Sequence, residues 1–206
     1  MSLSIPGVDP ELTKLTNAKE VSSYIQNKVL SEHHDPADFN VKQLKKWLIH
    51  YHNKYRAHHR SPAVSSDNSL NGLAQKWADE LAHHKQRLVH EKPSNYGENL
   101  TYFASSQFPS PEVLAAALIH GFYTEGYQYD YTRFTPGAWA ANGHFTQLIW
   151  KSSRKIGLGV TLVKRGSMHQ VYVCIKYDPP GNLQTSEEYL SNIKAPRKRE
   201  CRCTIN

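Results

Sequence analysis

Apolar positions recur with a helical period through the first two thirds of the chain and with a period of two near its end. Leu12, Leu15, Ala18, Val21, Ile25 and Val29 fall on one helical face, which predicts an amphipathic helix from Glu11 to about Leu30. His33-His34-Asp35-Pro36 ends it, because proline disfavours helix in the residue before it. Val41, Leu44, Leu48, Tyr51 and Tyr55 share the face of a second helix, and Ser61-Pro62 breaks the chain after it. A third is predicted over Leu70 to Leu88, with Leu73, Trp77 and Leu81 toward the core. Ser110-Pro111 opens a fourth, serine at the N-cap and proline at the first helical position. Leu114, Leu118 and Phe122 carry it to about Glu125.

An aromatic loop follows, with Tyr127, Tyr129, Tyr131 and Phe134 ahead of Pro136-Gly137. Next comes a dense run from Gly143 to Trp150, in which Phe145, Leu148 and Ile149 can share one face of a short helix. Gly143 would free the backbone for a turn or admit another segment closely, and His144 reads here as a histidine at the edge of a core. Ile156, Leu158, Val160 and Leu162 then alternate, as do Val171, Val173, Ile175 and Tyr177. These are two strands, and residues 164–167 are the expected hairpin turn. Helices flanking such strands make an α+β chain, a three-layer α-β-α sandwich with a central antiparallel sheet. The expected organisation is an N-terminal extension (1–40) with one helix, a domain (41–190) and a basic tail (191–206).

Composition narrows the class. The 206 residues are 39% hydrophobic and 21% charged, as in an ordinary globular protein. No apolar run reaches the roughly 18 residues of a membrane span. The first residues, Met1 to Gly7, show no signal-peptide pattern, and Ser2 excludes N-myristoylation. Cys174, Cys201 and Cys203 cannot build a disulfide framework, which points to a reducing, intracellular setting. Lys194, Arg197, Lys198, Arg199 and Arg202 against Glu200 place +4 of the formal +7 in residues 194–206. The basicity belongs mainly to the tail, which lacks the interleaved aromatics of a nucleic-acid binder.

Several chemistries are excluded. His90-Glu91 does not open an HExxH motif, since Ser94 stands where the second histidine would. No Walker A loop, dinucleotide fingerprint or G-x-S-x-G elbow is present. Cys174 sits in a buried strand pattern, where a free cysteine is usually a small hydrophobe. What remains is a dispersed set of histidines and acids at element edges: His90, Glu98, Glu125 and His144.

Five motifs relate these residues. They are His52 to Arg56, Gly97 to Leu100, Phe122 to Glu125, Gly143 to Ser153 and Tyr177 to Asn182. In this order they resemble the CAP superfamily of cysteine-rich secretory proteins, antigen 5 and pathogenesis-related proteins, over about residues 41–190. The resemblance implies an α-β-α sandwich with a central cleft and a tetrad of His90, Glu98, Glu125 and His144. His90 and His144 would ligate a divalent metal, zinc first, weakly because two protein ligands are fewer than zinc usually takes. A metal-free network of acid–histidine hydrogen bonds is the alternative. Tyr129, Tyr131, Phe134 and Pro136 fall where the family binds sterol or lipid, or they pack on their own domain.

The missing disulfide cysteines make the chain similar to the intracellular, Golgi-associated branch of that family. Cys203-Thr204-Ile205-Asn206 reads as a prenylation box, with Cys201 as a palmitoylation site and a basic run upstream. The resulting expectation is a non-enzymatic CAP protein on the cytoplasmic face of membranes, partnered by lipid or sterol and an anionic membrane surface, or by a second copy as a homodimer. Two alternatives stand beside it. One is a metal-dependent hydrolase with Glu98 or Glu125 as base; the other is a venom-allergen-like interaction protein released by an unconventional route.

Overall fold

The structure, a computed structural model, describes residues 5–137 and 139–197. Cys201 and Cys203, the candidate lipidation sites, lie outside the described residues.

Strands β3 (Lys155–Arg165) and β4 (Met168–Asp178) form the predicted hairpin, in register from Lys155 opposite Asp178 to Arg165 opposite Met168. The loop between them is shorter than residues 164–167, only Gly166 and Ser167. Gly166 takes φ +60° there, which a residue without a Cβ adopts at no steric cost. Strand β2 (Gly97–Ser105) runs antiparallel to β4. Ser65–Ser66 (β1) adds a parallel edge to β3, giving the order β1-β3-β4-β2. Two serines are too short a run for any periodicity to reveal.

Alternation sends the two faces of this sheet into different cores. Ile156, Leu158, Val160, Val171, Val173, Ile175 and Tyr177 meet the larger helical layer. It contains α1 (Ala18–Glu32), α2 (Val41–His58), α4 (Pro111–Thr124) and α5 (Trp139–Ile149). Leu100, Tyr172 and Cys174 face α3 (Asn68–Glu80), against Ala74 and Ala78, and against Leu81 just past its end. A short α6 (Ser186–Asn192) sets Tyr189 against Trp150, ring centroids 5.2 Å apart.

Three predicted helices differ from those observed. The first helix starts at Ala18 and not at Glu11, because Asn17 accepts the Glu20 N–H and Glu20 reaches back to the Thr16 N–H at 2.7 Å. Leu12–Lys14 is a separate 3₁₀ turn. The third helix gives way after Glu80 to a wider π turn, Leu81–Lys85, which Gln86 ends at φ +54°. Its core face is Leu70, Ala74 and Ala78, while Leu73 is exposed and Trp77 half-buried. Size decided against the bulkier set: a Cβ on Gly159 would collide with the Ala74 carbonyl, and one on Gly157 with the Leu70 backbone. Opposite Gly159 the helix lies too close to the sheet for a side chain larger than Ala74, while Leu81, past the end of the helix, is buried as predicted.

The fourth helix buries more than Leu114, Leu118 and Phe122: Ala115, Ala116, Ala117, Ile119, His120 and Tyr123 are buried too. Residues preceding α2 cover its far side. His120 Nε2–H donates to the Leu15 carbonyl at 2.9 Å, and the Tyr127 hydroxyl donates to the Thr13 carbonyl at 3.1 Å. The Ser110 N–H donates to Glu32 at 2.5 Å.

Candidate functional site

A break in α5 creates half of the site. Asn142 leaves helical geometry at φ −141°, ψ 21°, so the N–H groups of the next residues start a helix and need acceptors. Glu125, at the end of α4, supplies one. Its Oε2 accepts the His144 N–H at 2.9 Å and the Phe145 N–H at 3.3 Å, while Oε1 accepts His144 Nδ1–H at 2.7 Å. The His144 imidazole also stacks on Phe122, ring centroids 5.0 Å apart. Gly143 needs neither of the freedoms expected of it: its φ is not positive, and a Cβ there would make only ordinary contact with Asn182. Asn142 takes the bend instead. Asn182 braces it, donating to the Gly143 carbonyl and accepting from the Thr146 hydroxyl.

The other half comes from the start of β2. Glu98 stands opposite Lys176 across the β2–β4 ladder. Its Oε1 accepts His90 Nδ1–H at 2.6 Å and the Glu91 N–H at 3.2 Å. Its Oε2 lies 3.0 Å from Lys176 Nζ and 3.6 Å from Cys174 Sγ. Burial pushes the Glu98 carboxyl up, but the His90 and Lys176 hydrogen bonds and the lysine charge outweigh it, so the acid titrates below the ordinary glutamate value. Lys176 is itself buried and also pairs with Glu91 at 2.6 Å; despite burial, these two glutamates raise its affinity for the proton.

The tetrad is therefore two acid–histidine dyads, joined by Asn99, whose side-chain N–H groups donate to the His144 carbonyl at 3.0 Å and the Tyr177 hydroxyl at 3.2 Å. His90, Glu98, Asn99 and His144 line one cleft of about 430 Å³. Glu125 stands behind His144 and does not line the cleft.

Both dyads fix the tautomer of their histidine: a carboxylate on Nδ1 puts the proton there and leaves the Nε2 lone pair free. Among the described residues, no protein group bonds to Nε2 of His90 or His144. Each imidazole could therefore offer a divalent cation its Nε2 lone pair. The two do not make a closed shell, since no three His, Cys, Asp or Glu side chains among the described residues group as a metal site.

Sequence reasoning missed Lys176, Glu91 and Asn99. Lys176 had left a signal, a lysine two places from Cys174 on the same face of a buried strand. Asn99 lies within the Gly97–Leu100 motif, which by itself assigns it no role. The aromatic loop packs on its own domain: Tyr129 lies 5.6 Å from Phe145, Tyr131 5.0 Å from Tyr129, and Phe134 4.8 Å from Tyr189, between ring centroids. Pro136 is exposed.

Comparison with known proteins matches residues 49–177 to the model of the cysteine-rich secretory protein family, CAP. The human Golgi-associated plant pathogenesis-related protein 1 is 30% identical over 161 residues, which span 76% of this chain and 96% of that protein. Venom allergen 5 of Polistes fuscatus is 29% identical, covering 69% and 77%. Among solved structures, NaASP2 with Zn²⁺ superposes at a TM-score of 0.58 and 19% identity, over 78% of this chain and 90% of the other.

Proposed function

Because the chain belongs to the CAP family, the cysteine-rich secretory proteins, we propose that it is a non-enzymatic member that binds lipid or sterol at a membrane surface and holds a divalent metal, zinc first, in its cleft. One observation carries the metal reading: each imidazole is oriented by a carboxylate on Nδ1, with Nε2 left free on one cleft. That is the arrangement by which proteins prepare a histidine for a metal. His90 and His144 would be the protein ligands and water would complete the shell, so binding is weak and exchangeable. A bound zinc would supply a positive centre for an anionic headgroup.

The hydrolase alternative needs a free base. Glu98 already accepts four donors and Glu125 three, which supports orienting roles for both acids.

Lipid contact falls to the loop of Tyr129, Tyr131, Phe134 and Pro136. Its rings anchor on Phe145 and Tyr189, so the exposed segment around Pro136 is held on a firm base. Among the described residues no helix is long and apolar enough to cross a membrane. Attachment would instead use the basic tail with lipid on Cys203 and Cys201, on the cytoplasmic face. Two signals of this kind are needed for stable anchoring.

Titration calorimetry with zinc chloride tests the metal reading. The expected result is one site, lost in His90→Ala and in His144→Ala; unchanged zinc binding in both variants would refute it. Fractionation of cells carrying Cys203→Ser tests the anchor, and an unaltered membrane fraction would rule it out.

A further inference from the structure

A second cavity, of about 320 Å³, opens on the α3 face of the sheet, at the end away from the cleft. Its floor is the cross-strand pair Tyr102 and Tyr172, edge to face with ring centroids 4.9 Å apart. This pair lies four residues along β2 from Glu98, about 13 Å at the usual strand rise.

Two guanidinium groups border the rings. Arg165 closes the end of β3, its Nη2–H donating to the Ala82 carbonyl at 2.6 Å. Its Nε–H is buried and has no protein acceptor among the described residues. The Arg165 charge is close enough to the Tyr102 hydroxyl to favour the phenolate, though burial, the larger influence, raises the proton affinity. Arg87 comes from the turn after Gln86 and is exposed.

Among the described residues, no carboxylate lines the cavity. The nearest acid on that turn, Glu80, is engaged by Lys85 at 3.3 Å and His84 at 3.9 Å. Leu88 and Tyr102 are 43% and 39% exposed, unusual for large apolar side chains here, and both line this one cavity.

We infer that this cavity is a binding site for a small aromatic anion, its ring against Tyr102, Tyr172 and Leu88 and its acidic group between Arg165 and Arg87. Arg165 and Arg87 meet no carboxylate among the residues lining the cavity, and an anionic oxygen would supply their guanidinium groups with an acceptor. The fork geometry of arginine suits a phosphate or sulfonate. Neither the His90–Glu98 nor the His144–Glu125 dyad contributes, so this site is independent of the metal reading.

The test is NMR titration of the full-length protein with 1-naphthyl phosphate, alongside inorganic phosphate and 1-naphthylmethanol. Saturable shifts are expected at Gln86–Leu88 and in β2 and β4 around Tyr102 and Tyr172. Each half-ligand alone should bind at least tenfold more weakly, since a hydrogen bond to a charged group is worth about a factor of ten or more. Arg87→Gln, at an exposed position that threatens no packing, should weaken binding about tenfold by the same reasoning, and Tyr102→Ser should weaken it as well. Arg165→Gln should do the same where it folds. Shifts confined to Gly143 and His144, equal binding of either half-ligand, or an Arg87→Gln variant that binds normally would each overturn the proposal.

Discussion

Arg56 illustrates how one residue can hold a site it never touches. It is fully buried, has no carboxylate partner among the described residues, and donates to the carbonyls of Pro62, Leu148, Trp150 and Ser153 at 2.7–3.0 Å. Leu148 and Trp150 are at the end of α5, where helical carbonyls lack partners; the Ser61 hydroxyl takes the Ile149 carbonyl between them. Burial draws the Arg56 pKa down to about 10, so the group stays charged at neutral pH. Arg56→Leu should cost about 4 kcal/mol, because several buried carbonyls lose their donors together. A urea melt checks this, and a loss under about 1 kcal/mol would show that water replaces the donors. Glu125→Gln acts on the cleft directly. It should lower zinc affinity about 10- to 100-fold by loosening the His144 tautomer, readable by calorimetry beside an unchanged circular dichroism spectrum.

At the scale of elements, two glycines predict opposite outcomes. Gly159 allows β3 to lie against the α3 backbone, and a methyl group there meets the Ala74 carbonyl, which cannot move without the helix. Gly159→Ala should therefore destabilise by about 3 kcal/mol, at the upper end of overpacking effects. Gly121 lies inside α4, with nothing within 4 Å of where its Cβ would be. Gly121→Ala should stabilise by about 0.5–1 kcal/mol by reducing unfolded-state freedom. Thermal melts of the pair give the sign of each. Similar losses at both positions would mean that the helix–sheet distance is not what the glycine provides.

Over the whole molecule, buried histidines set the response to acid. His52 bonds the Leu48 carbonyl and the Tyr177 hydroxyl, and His59 bonds the Lys194 carbonyl and the Tyr123 hydroxyl. Burial holds them to about 3 and about 4 respectively, and it lowers His120 as well. Between those values and the unfolded value near 6.5, the unfolded chain binds protons that the folded chain refuses. Stability therefore rises with pH across that window and falls as the pH drops through it. At pH 5, His52 and His59 should each remove roughly 2 kcal/mol relative to pH 7.5. Urea midpoints at the two pH values measure the loss, and His59→Gln should flatten the slope. An unchanged slope in that variant would mean that His59 takes up its proton in the folded state.

Local periodicity determined much of this protein by itself. It is enough to separate the helices from the hairpin, because three-and-four spacing and alternation are incompatible patterns. The Ser110-Pro111 start is legible for a similar reason, since capping is a local hydrogen-bond requirement. The candidate residues were legible through motif order, which holds Glu98, Glu125 and His144, and through the family resemblance, which adds His90, without saying how they pair. Only the tertiary structure decided the rest. Which face of α3 is buried depends on two glycines more than eighty residues away, and the all-round burial of α4 depends on the N-terminal segment. Division of the four into two dyads follows from the break at Asn142 and the β2–β4 register. Contacts of this kind are fixed by packing distances between distant segments, and no window of sequence contains both partners.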